Sequence, residues 1–125
     1  MKTKILYIED NEQNLYLITF ILKKHDYEVC AATDGQEGID LAARIKPDLI
    51  LLDIQLPRMD GYAVAHQLRT NPDLAGIPIV AVTSYAMAGD REKALAAGCC
   101  GYIEKPINPD TFMQQVEQHL PARKK

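Results

Sequence analysis

Five polar residues that could share one piece of chemistry stand at the ends of short apolar runs in this 125-residue chain. Ile5-Leu6-Tyr7-Ile8 leads into Glu9 and Asp10, Leu49-Ile50-Leu51-Leu52 into Asp53, Val80-Ala81-Val82 into Thr83, and a more mixed run from Cys100 ends in Lys105. The run before Asp53 is the most informative. Four aliphatic residues without polar alternation read as a strand buried on both faces, the habit of central strands in parallel sheets. Burying a carboxylate is costly, so Asp53 is expected where the strand emerges at the carboxyl edge of the sheet. Ligands of open parallel sheets bind at that edge. Asp53 is therefore either a loop-capping residue or a reactive group. A helix cap could account for any one of the five, but three acids, a hydroxyl and a lysine at one edge point to a shared site.

The elements that must hold these residues alternate strictly. The first strand, Ile5 to Ile8, precedes a helix capped by Asn11 with Leu15, Ile18, Ile21 and Leu22 at helical spacing. Tyr27 to Ala32 reads as a second strand, more mixed in polarity and so nearer an edge. Asp34-Gly35 turns into an Ala-rich helix carrying Ile39, Ala42 and Ala43, stopped at Pro47. After the Asp53 strand, Asp60-Gly61 opens a helix with Val64 and Leu68 on one face, ending near Asn71-Pro72. Ile77 to Thr83 is a fourth strand with Pro78 at its start. Met87, Arg91, Ala94 and Leu95 predict a fourth helix ended by Gly98 in a left-handed cap. Cys100 to Lys105 is the fifth strand. Asn108-Pro109 starts a last helix with Phe112, Val116 and Leu120 on one face. Five βα units of this kind, joined by right-handed crossovers, predict a three-layer α/β sandwich around a parallel sheet.

Composition narrows the function. Hydrophobic residues make up 47% and charged residues 25%, the balance of a globular domain rather than a disordered chain. No apolar run approaches the roughly 20 residues that span a bilayer, so no membrane partner is expected. A strand starts too close to Met1 to leave room for a signal peptide. A formal charge of -3 argues against nucleic acid as the main partner. Cys30, Cys99 and Cys100 make no disulfide framework, which fits a reducing cytoplasm. The adjacent Cys99-Cys100 has poor ligand spacing for a metal and reads as two small buried residues. His25, His66 and His119 fall in helical or helix-end segments and read as solvated surface groups.

Taken together, Ile8-Glu9-Asp10-Asn11, the Asp53 strand with Leu56-Pro57 and Met59-Asp60-Gly61, Thr83 after Val80-Ala81-Val82, and Lys105-Pro106 resemble the receiver domains of bacterial response regulators. The resemblance covers essentially the whole chain, with a receiver expected over residues 1–121 and a short basic tail at 122–125. It implies a doubly wound, flavodoxin-like five-stranded parallel sheet of order 2-1-3-4-5, whose switch point between strands one and three brings Glu9, Asp10 and Asp53 together. Crowded carboxylates repel, and a hard divalent cation relieves them. Magnesium suits such a site because it binds through one or two carboxylates, waters and a phosphoryl oxygen. The resemblance puts Asp10, Asp53 and the Gln55 carbonyl on Mg2+, with Glu9 acting mainly through water.

The same resemblance makes Asp53 the residue that is phosphorylated, by a phosphohistidine on a histidine kinase or a histidine phosphotransfer protein. Lys105 and the Thr83 hydroxyl, beside the small Ser84, would then stabilise the phosphoryl oxygens. The domain would catalyse its own aspartyl phosphorylation and dephosphorylation without being an enzyme of the ordinary kind. The Lys105-Pro106 bond is cis in the family and aims the lysine across the site. Tyr102 matches the family's switch aromatic, turning inward when Thr83 is drawn to the phosphate and so changing the face of the fourth helix, fifth strand and fifth helix. Their bland readings are a strand-end threonine, a solvated strand-end lysine and a half-buried tyrosine.

Two features vary within the family. Glu9 replaces the usual first aspartate, and its extra methylene could move the metal contact. Gln55 and Tyr85 flank the path of hydrolytic water. With no room for an output domain, the chain is either a single-domain regulator, which the start at Met1 and the short basic tail favour, or a receiver excised from a longer protein; a monomer or weak dimer acting on a downstream protein target is expected. Asn71-Pro72-Asp73-Leu74, Ala86-Met87-Ala88-Gly89 and Cys99-Cys100 are loosely similar to the single-domain cell-cycle regulators of the DivK group. Two other readings stay open: a receiver-shaped binding module that is never phosphorylated, and a flavodoxin-type electron carrier. Against the second, the acidic loop Glu9 to Glu12 would repel a flavin phosphate.

Overall fold

The computed structural model describes residues 3–56, 58–83, 90–105 and 107–120. Ten elements alternate through the chain: β1 (Lys4–Ile8), α1 (Glu12–Lys24), β2 (Glu28–Ala32), α2 (Gly35–Ile45), β3 (Leu49–Asp53), α3 (Gly61–Thr70), β4 (Ile79–Thr83), α4 (Asp90–Ala96), β5 (Gly101–Glu104) and α5 (Pro109–Glu117). The strands form one sheet in the order β2-β1-β3-β4-β5, with every neighbouring pair parallel. The doubly wound sheet expected from the sequence is present, and β2, the strand of mixed polarity, lies at an edge.

Pleating divides the apolar strand residues between two cores. Ile5, Tyr7, Leu49, Leu51, Val80, Val82 and Ile103 pack with α1 and α5 on one face. Leu6, Ile8, Ile50, Leu52, Ile79 and Ala81 pack with α2, α3 and α4 on the other. The uniform aliphatic runs of β3 and β4 follow from this: all five residues of each strand are buried.

Helix starts obey their local chemistry. The side chains of Asn11, Asp34, Asp60 and Asn108 each accept from a backbone N–H in the first turn of the following helix, satisfying donors that the helix itself leaves without partners. Pro109 occupies the first turn of α5, where no N–H is needed. Gly98 takes a φ of 107° after α4, the left-handed region expected of it.

Several expected core residues turn outward. Ala43 is exposed, because Gly35, Gly38 and Ala42 face the sheet from α2 instead. Leu95 is 49% exposed while its neighbour Ala94 fills the core. Leu120 lies beyond the end of α5 and is half-buried. Cys99 is buried but Cys100 is exposed, since consecutive residues entering a strand point to opposite sides. His25 and His66 are exposed as expected, whereas His119 is half-buried. Met87 and the tail at 121–125 lie outside the described residues.

Candidate functional site

Strand parity places the charged residues. Tyr7 and Glu9 share one side of β1 and its extension, Leu51 and Asp53 the corresponding side of β3, and Ile103 and Lys105 that of β5. All three charged side chains therefore project toward the same layer, just past the point where apolar packing ends. Lys105 Nζ lies 2.7 Å from Glu9 Oε1 and 3.4 Å from Asp53 Oδ2. Backbone pairing holds the lysine there, because Lys105 N–H donates to the Thr83 carbonyl at 2.8 Å and Thr83 stands opposite Glu104 in the β4–β5 register.

Glu9 is fully buried and well supplied with donors. Its Oε1 accepts from the Tyr7 hydroxyl at 2.7 Å, Lys105 Nζ at 2.7 Å and Asn14 Nδ2 at 3.4 Å, and its Oε2 accepts from Asn11 N–H at 3.3 Å. Burial works to raise its pKa, but hydrogen bonds from Asp53, Lys105 and Tyr7 and the lysine charge outweigh that and hold it below the ordinary carboxylate value. The Tyr7 phenol is driven far upward by burial and by the adjacent Glu9 charge, so it stays a donor. Glu9, grouped with Asp10 and Asp53 by its carboxylate, also pairs directly with Lys105. The longer side chain has the reach to do so.

Asp53 ends β3 as expected but is only 2% exposed. Its burial is compensated. Oδ1 accepts the Gln55 N–H at 3.0 Å, and Lys105 faces Oδ2. Burial, then the hydrogen bond to Glu9, push the carboxyl up to about 7. A proton between two buried carboxylates relieves the same repulsion that a cation could relieve.

Asp10 is exposed beside them, and carboxylate oxygens of Glu9, Asp10 and Asp53 all lie within 4.8 Å of one another. An all-oxygen donor set of this size fits a hard divalent ion. Thr83 is buried at the end of β4, and Tyr102 is half-buried in β5, packed against the α2–α3–α4 core. Pro57, Ser84, Tyr85 and Pro106, each given a place in the sequence reading, lie outside the described residues, as does the Ala86-Met87-Ala88-Gly89 stretch. Tyr7 and Asn14 were not singled out by the sequence; Tyr7 sits two residues before Glu9 in a strand, and that spacing was the available signal.

The chain matches the model of the response regulator receiver domain over residues 5–117. It is 39% identical over 120 residues to the polar-differentiation response regulator DivK of Brucella anthropi, covering 96% of this chain and 98% of that protein. Among solved structures it is similar to the chemotaxis response regulator CheY4 of Vibrio cholerae, with a TM-score of 0.91 at 26% identity over 96% of this chain and 100% of that one. It is also similar to the receiver domain of the sensor histidine kinase PA1611 of Pseudomonas aeruginosa PAO1, a structure with magnesium coordinated in its active-site cleft. That match has a TM-score of 0.87 and 33% identity, covering 95% and 98% of the two chains. Among the described residues no helix is long and apolar enough to cross a membrane. With the acidic cluster at the switch point of the sheet and the family model spanning both ends of it, this chain belongs to the response regulator receiver domains, the phosphorylation-based signalling modules of two-component systems.

Proposed function

We propose that Asp53 is the phosphoacceptor of this receiver and that Lys105, Thr83, Asp10, Gln55 and Glu9 form the site around it. One observation carries the reading: a buried carboxylate, pushed up to about 7, lies 3.4 Å from a lysine ammonium and within 4.8 Å of two further carboxylates. The donor is the phosphohistidine of a histidine kinase or phosphotransfer protein. A carboxylate oxygen of Asp53 attacks phosphorus, the new O–P bond replaces the donor's P–N bond, and the donor imidazole leaves with its electron pair.

A carboxylate is a modest nucleophile, so the rate depends on positioning and charge. The Gln55 N–H fixes Oδ1 of Asp53. Lys105 stands ready to follow negative charge from the carboxylate to the phosphoryl oxygens. Thr83, at the end of the neighbouring strand, offers a hydroxyl on the other flank. Asp10, Asp53 and the Gln55 carbonyl would hold Mg2+. When bound, that ion supplies positive charge against the phosphoryl oxygens and removes the repulsion among the acids.

The domain spans residues 1–121 with a basic tail at 122–125, works in the cytoplasm as a monomer or weak dimer, and acts on a downstream protein through the α4–β5–α5 face. Arg91, Tyr102, Glu104, Asn108, Thr111 and Gln115 line a recess of about 400 Å³ on that face. Tyr102 is the proposed reporter of phosphorylation there. Intact mass after incubation with acetyl phosphate and Mg2+ tests the assignment. One added phosphoryl group is expected on the wild type and none on Asp53→Asn. No adduct on the wild type, or one that persists in the variant, would leave a receiver-shaped binding module as the better description.

A further inference from the structure

Far from the acidic site, the fold brings together two soft ligands that are well separated in sequence. Cys100 immediately precedes β5 and His119 follows α5, yet Cys100 Sγ lies 3.8 Å from His119 Nδ1. Zinc bonds of about 2.3 Å to sulfur and about 2.0–2.1 Å to nitrogen, opened to a tetrahedral angle, set the two donors about 3.6 Å apart. The observed spacing is close to one edge of such a tetrahedron.

Both groups are held in place. Cys100 N–H donates to the Ile79 carbonyl at 2.8 Å, and His119 N–H donates to the Val116 carbonyl at 3.0 Å. The imidazole lies against Gly101, where any Cβ would collide with the ring. The missing side chain is thus the seat on which Nδ1 is turned toward the sulfur. Carbonyls at the C-terminal end of α5 favour a cation nearby.

Cys100 is exposed, whereas Cys99 points into the core with its thiol pushed up to about 11 by burial. Among the described residues, the only group of three or more Cys, His, Asp or Glu able to hold a metal is Glu9, Asp10 and Asp53. The Cys100–His119 pair is half a coordination sphere facing solvent.

We propose that Cys100 and His119 form a zinc half-site that a second copy of this chain completes as a Cys2His2 tetrahedron across a two-fold axis. Each thiol releases its proton to solvent as its Zn–S bond forms, and each Nδ1 donates its lone pair while Nε2 keeps the ring proton. Two thiolates balance the charge of the ion, and no oxidation state changes. The site lies at the amino end of β5, opposite the carboxyl edge that carries Asp53, so pairing leaves the phosphoacceptor edge of both copies open.

Cobalt(II) titration of the reduced 125-residue chain in excess Mg2+ provides the test, followed by zinc with the mass measured by light scattering. The expected result is a thiolate-to-cobalt band with the strong visible absorption of a tetrahedral site, saturating at one ion per two chains, and a doubling of mass with zinc. Cobalt in the acidic cluster would have oxygen ligands only and give no such band. Cys100→Ser and His119→Gln should each abolish band and dimer while keeping the wild-type circular dichroism, and Cys30→Ser should keep both. The proposal is overturned by absence of the band, by its survival in folded Cys100→Ser, or by saturation at one ion per monomer.

Discussion

At the scale of single residues, the decisive departure is a glutamate where receivers usually carry their first aspartate. Its Oε1 collects the Tyr7 hydroxyl, Lys105 and Asn14 together, so Glu9 serves as the seat of the lysine. Tyr7→Phe keeps the ring and removes the donor. A hydrogen bond to a buried charge contributes roughly 1.5–3 kcal/mol, and urea melts should show a loss of that order; a loss under a few tenths would mean that Glu9 does not depend on Tyr7. The two-residue spacing from Glu9 was the sole mark of Tyr7 in the sequence, because a tyrosine inside an apolar strand reads as core until its hydroxyl is given a partner.

Asp53 makes a second prediction with a definite sign. Its carboxyl moves from an ordinary 3.8 to about 7 on folding without metal, through burial and then Glu9. Between those values the folded state keeps a proton that the unfolded state has lost, so stability falls as pH rises through that window. Glu9, held low, loses its contribution only below the ordinary carboxylate range. With a chelator present, the melting temperature should therefore drop between pH 5 and pH 8 in the wild type and much less in Asp53→Asn. Equal slopes in the two proteins would refute the assignment. Mg2+ must displace the same proton, so its affinity should rise across this window.

At the scale of elements, the start of α3 lies directly against the backbone at the end of β3. Gly61 N–H donates to the Ile54 carbonyl at 3.1 Å, and a Cβ at Gly61 would meet the Ile54 and Asp53 carbonyl oxygens at 2.8 and 2.9 Å. Backbone cannot rotate aside as a side chain can. Gly61→Ala should cost about 1–3 kcal/mol and displace the Asp53–Gln55 segment that carries the proposed acceptor and the proposed carbonyl ligand. Val64→Ala, which opens a cavity farther along α3, should lose comparable stability but retain phosphorylation by acetyl phosphate. Equal activity losses at equal stability would show that this close approach has no special role.

The glycine in Asp60-Gly61 was legible only as a helix start. The close approach of two backbones leaves no pattern in a single sequence. Strands β3 and β4 were legible because burial on both faces demands aliphatic runs. The outward turn of Leu95 was not, because α4 is short and its neighbour Ala94 satisfies the core alone. The Cys100–His119 contact was hidden for the same reason that Gly61 was: it is created by packing between elements distant in sequence.

At the scale of the whole molecule, the question is how an event at the end of β3 reaches a face two strands away. The sheet itself supplies the route. Thr83 stands opposite Glu104 across the β4–β5 ladder, and its carbonyl accepts the Lys105 N–H at 2.8 Å. A phosphoryl group that draws both the Thr83 hydroxyl and the Lys105 ammonium pulls on two adjacent strand ends that are already bonded to each other. Tyr102, three residues before Lys105, packs its ring against the α2–α3–α4 core and borders the α4–β5–α5 recess. It is the side chain proposed to sense that displacement. On the other side of the sheet, β2 meets β1 alone and has no bond to β4 or β5. Beryllofluoride with Mg2+, a mimic of the phosphoryl group, should therefore shift amide resonances of Thr83, Tyr102, Glu104 and Thr111 while leaving Val29 and Cys30 in β2 nearly unchanged. Lys105→Met should shrink the Tyr102 shift more than those around Asp53, because it cuts one of the two pulls on β5. Shifts confined to Asp10, Asp53 and Gln55, or spread evenly over all five strands, would mean that the sheet edge does not carry the signal.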